Sequence, residues 1–316
     1  MSVGTRELKR RIKSIQSTKK ITKAMEMVAA AKMRKAVSNV LATRDYANLA
    51  WTTVLNLAEK TDPDSHPLLQ KRAVKKIALI VISSNRGLCG SFNHNVVKKA
   101  IASIEKHGDV VTDTEIITLG TKGRNILLSE KHKVEADFIK HDVTVSATEV
   151  SAVAHMVVKD YQEKKYDKVM VAYTDFVSAV NQVARVKQLL PVEADPDGYL
   201  GVVGKSEGMQ TTKKFIDEKK DRYTKRGEYT LEYIFEPSPK VVLEQMLPRL
   251  IEVQIYQAVL ESDASEHSSR MMNMRNATDA AGDMIDDLTL IFNQARQASI
   301  TQEIAEISSG AAAQEK

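Results

Sequence analysis

The sequence predicts an α/β protein in which two very long terminal helices flank a central domain of alternating strands and helices. No Gly or Pro interrupts the chain between Thr5 and Asp62. Between Arg249 and Ser309 the only such residue is Gly282. Each end can therefore form roughly 60 residues of helix, or about 90 Å at the usual helical rise. A globular core cannot bury helices of that length, so we expect them to pair with each other.

The two terminal segments carry opposite charge. Residues 1–60 hold 13 Lys and Arg against 4 Asp and Glu, a net charge of +9. Residues 249–316 hold 5 against 11, a net charge of −6. Because one helix enters the central domain and the other leaves it, the pair is predicted to be a long antiparallel coiled coil. An exposed ion pair contributes at most about 1 kcal/mol, so we expect the charge match to set register more than stability.

A heptad-like spacing of apolar and small residues supports the coiled coil, although the seam is weak. On the first helix the seam comprises Leu8, Ile12, Ile15, Thr22, Ala29, Met33, Ala36 and Val40. On the last helix it opens with Leu250, Val253 and Ile255 and closes with Leu288, Ile291, Ala295, Ala298, Gln302 and Ala305. Residues 261–270 between these groups are almost all polar, and we expect them to have almost nothing to bury.

The middle of the chain alternates strand and helix patterns, which predicts a mostly parallel sheet with crossover helices, a Rossmann-like arrangement. The predicted strands are Lys75–Ile82, Glu115–Leu119, Val134–Ile139, Lys168–Tyr173, Val183–Leu190 and Tyr229–Phe235. The predicted helices are Val96–His107, Lys122–His132 and Thr148–Tyr166. This pattern divides the chain into a first coiled-coil helix (1–62), a central domain (73–236) with a surface insertion (195–228), and a second coiled-coil helix (238–316).

Composition excludes several classes of protein. The basic balance comes from one helix rather than from a basic surface, which argues against nucleic-acid binding. The longest apolar run, Ile77–Ile82, is far too short to span a bilayer, so any membrane association is expected through partners. Seven scattered His and the single Cys89 give no metal-binding spacing, and we expect neither a metal nor a cofactor.

Two glycine-containing turns could suggest a phosphate site. The turn Ser83–Ser91 follows the first predicted strand, and Gly120–Arg124 follows the second. Neither has the glycine spacing of a dinucleotide fingerprint, nor the Lys of a P-loop. A structural or partner-contacting loop is therefore favoured. A dinucleotide-dependent α/β enzyme with helical dimerisation arms stays open as the alternative, and binding of nucleotide to the isolated chain would distinguish the two.

Four segments closely resemble the gamma subunits of F-type ATP synthases. They are residues 12–34, the loop Arg86–Gly90, residues 264–278 and residues 293–304, and the resemblance runs in order over nearly the whole chain. It implies a non-catalytic rotor shaft that couples proton-driven rotation of the c-ring to conformational change in the catalytic beta subunits. The implied partners are the alpha and beta subunits, the epsilon subunit and the c-ring.

The same resemblance implies which residues contact partners. Arg270, Arg296, Gln297 and Thr301 match positions that meet a loop of the beta subunit, and Met25 lies in the matching segment of the first helix. Arg86 matches a position near the lower face of the beta ring. The chain lacks the paired regulatory cysteines of chloroplast relatives and an evident organelle presequence. A bacterial member at the cytoplasmic face of the cell membrane is therefore expected. The 195–228 insertion is longer than is typical of such members.

Overall fold

The computed structural model describes residues 4–60, 66–107, 111, 113–192, 225–226, 229–230, 236 and 238–314. In chain order its elements are α1 (Thr5–Lys60), β1 (Lys76–Ile82), α2 (Phe92–His107), β2 (Asp113–Leu119), α3 (Thr121–Ser129), β3 (Val134–Phe138), a 3₁₀ turn (Ala147–Glu149), α4 (Ser151–Gln162), β4 (Lys168–Phe176), β5 (Gln182–Leu190), β6 (Lys225–Arg226), β7 (Tyr229–Thr230) and α5 (Pro239–Gln314).

By contact density the chain forms two compact units. One comprises residues 1–29 with 271–316, and the other comprises residues 30–270. These boundaries fall inside the two long helices. The predicted division into domains 1–62, 73–236 and 238–316 stays a prediction. The predicted insertion lies outside the described residues except for Lys225–Arg226, and so does the predicted strand after Thr230.

The sheet of the larger unit has the strand order β3-β2-β1-β4-β5. Strands β1 to β4 are parallel, whereas β5 runs antiparallel to β4. The sheet is therefore mostly parallel, as predicted. All four parallel strands point their carboxyl ends at the same edge, and we call this edge with its loops the carboxyl edge.

Strand β1 is buried on both faces, which explains its uninterrupted apolar sequence. Ala78, Ile80 and Ile82 belong to a core shared with α4 and with parts of α1 and α5. The alternate residues Ile77, Leu79 and Val81 belong to a second core with α2 and α3. The period of two along the strand thus divides its side chains between two helical layers.

One predicted helix, α4, is shorter in the structure because capping motifs bound it. Before α4, Ser146 and Glu149 form a capping box that starts a 3₁₀ turn. After α4, Lys164 adopts φ 63° and the amide of Lys165 donates to the carbonyl of Asp160. The prediction Thr148–Tyr166 was therefore too long at both ends.

Candidate functional site

The polar segment 261–270 of α5 is the main correction to the sequence analysis. Within the larger unit, all its residues are buried except Ser269, which is half-buried. Instead of having little to bury, the segment lies against loops that follow β1, β3 and β4 at the carboxyl edge.

Small hydroxyl side chains make this close packing possible, because each forms a hydrogen bond with a backbone group of β4 or of the adjoining loops. Ser262 accepts a hydrogen bond from the amide of Thr174 at 3.2 Å, and Ser265 donates to the carbonyl of Thr174 at 3.2 Å. Ser268 donates to the carbonyl of Ala179 at 2.7 Å, and Ser269 donates to that of Cys89 at 2.7 Å.

A buried ionic cluster lies at the centre of the segment. The Nζ of Lys140, in the loop after β3, lies 2.7 Å from Oδ1 of Asp263 and 2.7 Å from Oε2 of Glu266. The Lys140 side chain is only 2% exposed. The amide of Thr144 donates to Oδ2 of Asp263 at 2.8 Å. Charges buried in this way persist only when they are paired and hydrogen-bonded.

The protonation of this cluster follows from burial and pairing. Burial opposes the charge of Lys140, but Asp263 and Glu266 raise its pKa well above the ordinary value. Burial raises the pKa of Asp263 despite Lys140. Burial alone would raise the pKa of Glu266 as well, but Lys140 and Arg270 lower it. Of the two carboxylates, Glu266 therefore has the lower pKa relative to its ordinary value and is the more strongly ionised.

Arg270 joins this cluster to the loop after β1. Its NH2 group donates to Oε1 of Glu266 at 2.9 Å and to the carbonyl of Arg86 at 3.2 Å. Its Nε donates to the carbonyl of Gly87 at 3.3 Å, and its NH1 lies 3.2 Å from Nδ1 of His267. Four of the five N–H groups of the guanidinium are thus used within the chain.

His267 is held in one neutral tautomer. Its Nε2 lies 2.6 Å from the carbonyl of Asp142 and must donate to it, so Nδ1 accepts from Arg270. Burial lowers the pKa of His267, the Asp142 carbonyl and Glu266 oppose this, and Arg270 adds to the lowering. The Asp142 carboxylate lies 2.8 Å from Lys32 and 3.5 Å from the exposed Arg86 guanidinium.

Side chains of the loop after β1 and of the start of α2 hold this loop closed, and two side chains of the loop are exposed. Ser84 donates to the carbonyl of Arg86 at 2.7 Å, and Asn93 donates to Ser84 at 2.8 Å. Cys89 is buried, whereas the side chain of Arg86 is 75% exposed and Leu88 is 59% exposed. Leu88 adopts φ 64°, a costly conformation for a non-glycine residue.

The second glycine turn is filled by the chain itself. Gly120 has φ 103°, and a Cβ there would lie 2.3 Å from the carbonyl oxygen of Ser83. A Cβ on Gly123 would lie 2.6 Å from the Ser83 hydroxyl, which accepts from the Gly123 amide at 2.9 Å. The two glycines therefore allow β1 and α3 to approach closely.

The smaller unit is an antiparallel helix pair, as predicted. A hydrogen bond of 2.8 Å joins the hydroxyls of Thr22 and Thr278, and Gly282 of α5 lies beside Lys19 of α1. Residue numbers rise along one helix as they fall along the other, which defines the antiparallel direction. Among the described residues of this unit, both ion pairs, Arg11 with Glu7 and Lys23 with Glu26, lie within α1. No described ion pair therefore sets the register between the helices.

The seam of this unit agrees with the sequence on α1, and on α5 it agrees at Leu288 and Ala295 but not at the other predicted positions. Leu8 and Ala29 are buried, with Ile12, Ile15 and Thr22 half-buried between them. On α5 the inward positions follow the 3/4 spacing of a coiled coil: Met274, Thr278, Ala281, Ile285, Leu288, Phe292 and Ala295. Ile291, Ala298, Gln302 and Ala305 were predicted on this seam and are exposed.

The predicted partner-contacting residues fall in two separate places. Met25 is half-buried in the smaller unit, and Arg296, Gln297 and Thr301 are exposed on α5. Thr22 lies opposite Thr278, and the two helices have the same rise per residue, so Thr5 lies opposite residue ~295. Arg296, Gln297 and Thr301 therefore lie beyond the start of α1. Arg86 and Arg270 meet in the larger unit at the loop after β1.

The sequence analysis missed Lys140, Glu266, His267 and Ser269. The available signal was the type of polar residue in the 261–270 segment. A solvated helical face normally carries long charged side chains, whereas this segment has four serines, which allow close packing.

Within the described residues, no group of three or more His, Cys, Asp or Glu could hold a metal ion. In that same part of the chain, no helix is both long and apolar enough to cross a bilayer.

Comparison with known proteins agrees with this geometry. The family model described as ATP synthase matches residues 4–314. The ATP synthase gamma chain of Heliobacterium modesticaldum is 39% identical, over 98% of this chain and 99% of the relative. That of Pelotomaculum thermopropionicum is 41% identical over 98% and 99%.

Solved structures show the same fold. The central stalk and c-ring structure of the Tetrahymena thermophila mitochondrial ATP synthase contains a chain that is 26% identical, with a TM-score of 0.56, covering 81% of this chain and 99% of that one. A chain of the Euglena gracilis mitochondrial ATP synthase, 18% identical, supports the fold alone with a TM-score of 0.64, covering 98% and 94%. The chain therefore belongs to the family of ATP synthase gamma chains.

Proposed function

We propose that the chain is the central rotor shaft of an F-type ATP synthase. It couples proton-driven rotation of the c-ring to conformational change in the catalytic beta subunits, and it performs no catalysis itself. It binds the alpha and beta subunits above and the epsilon subunit and c-ring below, at the cytoplasmic face of the membrane. It reaches the membrane only through these partners.

The observation that carries this proposal is the exposed end of α5. Beyond the start of α1, Ile300, Ile304 and Ile307 form a stripe at the i, i+4, i+7 spacing of one helical face. The exposed fraction is 62% for Ile304 and 73% for Ile307. A single helix with an unpaired apolar stripe needs a partner surface, and a surrounding ring of subunits provides one.

The contacts with the ring follow from exposure. Arg296, Gln297 and Thr301 have side chains available on this helix, and Arg86 projects from the loop after β1. Met25 is half-buried. Methionine side chains are flexible, which suits a surface that meets several partner conformations in turn. Torque acts on the beta subunits only through contacts that differ between their conformations.

The carboxyl edge gives a reason to disfavour the dinucleotide-dependent enzyme. In doubly wound folds a nucleotide binds beyond the carboxyl ends of the strands, where the strand order reverses. Here that position lies between β1 and β4, and the 261–270 segment bonds to the loops of both strands. The glycines at 120 and 123 are packed against Ser83 rather than open to a phosphate.

Reconstitution of the complex tests the proposal. A complete ATP synthase complex assembled with this chain should pump protons on ATP hydrolysis, and the complex without it should not. Gln297→Ala should lower the number of protons pumped per ATP, whereas Gln16→Ala, at an exposed position on α1, should not. Absence of coupling with the wild-type chain, or micromolar binding of ATP or NAD by the chain alone, would refute the shaft.

A further inference from the structure

Glu266 binds two cations with different oxygens. Its Oε2 lies 2.7 Å from Lys140, and its Oε1 accepts from Arg270 at 2.9 Å. Lys140 is held in turn by Asp263, so Glu266 is fixed from one side before it meets Arg270. A buried carboxylate held in this way can set the direction of a guanidinium, because Arg binds through a rigid planar fork.

The direction it sets is toward the loop after β1. From Glu266 the guanidinium reaches the carbonyls of Arg86 and Gly87, while the neighbouring Ser269 bonds the carbonyl of Cys89. Three backbone carbonyls of the loop, those of residues 86, 87 and 89, are therefore held from α5. The backbone of Lys140 is joined to the same loop, since the side-chain amide of Asn85 donates to the carbonyl of Lys140.

We propose that Glu266 is a positioning residue that, through Arg270, clamps the Arg86–Gly90 loop against α5. The clamp holds Leu88 in its left-handed conformation and projects Arg86 and Leu88 outward together. Arg270 then acts on partners through the loop it holds. The consequence for coupling rests on the proposed function, whereas the clamp itself is a property of the isolated chain.

The buried thiol of Cys89 reports on the clamp, because it lies in the loop and is the only cysteine of the chain. Glu266→Gln keeps the shape of the side chain and removes its charge. The loss of a charge-assisted hydrogen bond should raise the rate at which dithionitrobenzoate modifies Cys89 by about ten- to a hundredfold. Glu252→Gln is the matched control, since Glu252 is also buried on α5 and pairs with Arg249 on the same helix. It should react at the wild-type rate.

Urea distinguishes loosening of the loop from loss of the whole fold. Opening of the loop exposes little surface, so the faster modification should be insensitive to urea below the unfolding transition. Ser269→Ala, which removes one hydroxyl and no charge, should raise the rate by several-fold. A wild-type rate in both variants, or a rate that rises with urea in parallel with global unfolding, would overturn the clamp.

The assembled complex tests the consequence for coupling. With Glu266→Gln the complex should still hydrolyse ATP but pump fewer protons per ATP, and with Glu252→Gln the ratio should be unchanged. An unchanged ratio in a Glu266→Gln complex whose Cys89 is exposed would overturn the role in coupling. Failure of the wild-type chain to couple would instead refute the shaft while leaving the thiol result intact.

Discussion

At the residue scale, the stability of the carboxyl edge depends on the buried, charged side chain of Lys140. Lys140→Met removes the cation that both Asp263 and Glu266 face and leaves two carboxylates buried with one fewer partner. We expect the free energy of unfolding of the larger unit to fall by about 3–5 kcal/mol, the usual cost of breaking a buried ion pair. Urea denaturation measures this.

The control is Lys133→Met, which removes a cation just before β3 whose side chain is 84% exposed and pairs with Glu135. An exposed pair of this kind contributes at most about 1 kcal/mol. Equal losses in the two variants would contradict the assignment of Lys140 as a buried structural charge.

The stability of the larger unit also depends on the backbone conformation of Gly120. A Cβ at this position meets the backbone carbonyl of Ser83, which no side-chain motion can relieve, and φ 103° is unfavourable for any other residue. Gly120→Ala should destabilise the larger unit by at least about 2 kcal/mol. Gly87→Ala, where a Cβ meets nothing within 4 Å, should change stability by less than about 0.5 kcal/mol. Thermal unfolding of both variants decides whether the turn is structural.

His267 gives the fold a dependence on pH. Its folded pKa lies below the ordinary value of 6.5, so between those two values the unfolded chain binds a proton that the folded chain does not. Stability therefore falls as pH decreases through this window. The groups around the imidazole are Arg270 and the Asp142 carbonyl, with the carboxylates of Glu266 and Asp263 opposing the shift.

His267→Gln should flatten this dependence. The Gln amide can still donate to the Asp142 carbonyl but does not titrate. Unfolding midpoints measured in urea between about pH 7 and pH 5 should fall less steeply than in the wild type. An identical slope for His267→Gln would show that other groups produce the dependence.

At the scale of elements, two helices end in the same unusual way. After both α3 and α4, a lysine adopts the left-handed conformation that glycine usually takes: Lys131 with φ 65° and Lys164 with φ 63°. The amides of His132 and Lys165 then donate to carbonyls five residues earlier, at 2.9 Å each, which forms a Schellman motif. A lysine bears a steric cost in this conformation that a glycine does not.

Lys164→Gly should therefore stabilise the larger unit, because it removes the steric cost of the left-handed conformation. We expect a gain of roughly 0.5–1 kcal/mol after the added flexibility of the unfolded chain is counted. Lys159→Gly, within the same helix, should instead cost about 1 kcal/mol. Chemical denaturation of this pair should give opposite signs, and a loss in both variants would rule out strain at Lys164.

The extent to which the sequence predicted these elements depends on the range of the interactions involved. Apolar spacing predicted β1 and the seam of α1, because those patterns depend on periodicity within one element. The burial of Glu266 depends on Lys140, which lies 126 residues away in the chain, and no local pattern reveals that pairing. Ala298 was misplaced because a heptad spacing cannot show where the partner helix begins, whereas Ile291 is exposed because Leu288 and Phe292 take the inward positions on either side of it.

At the scale of the whole molecule, exposed apolar surface on α5 should govern how the isolated chain behaves in solution. Ile304 and Ile307 lie beyond the start of α1, so among the described residues of their unit no α1 side chain faces them. Substituting both with Ser removes the most exposed part of the stripe without opening a core. We expect less self-association in sedimentation velocity and an unchanged unfolding midpoint, since burial that is absent from the fold cannot stabilise it.

Ile285→Ser provides the contrast, because Ile285 is half-buried on the seam between α1 and α5. It should lower the helical content of the chain on mild heating and leave the exposed stripe in place. In the reconstituted complex, Ile304→Ser with Ile307→Ser should weaken binding of the shaft to the alpha and beta subunits, because the stripe then has less apolar surface to bury. Wild-type self-association together with wild-type binding in the double variant would show that the stripe does not mediate this contact.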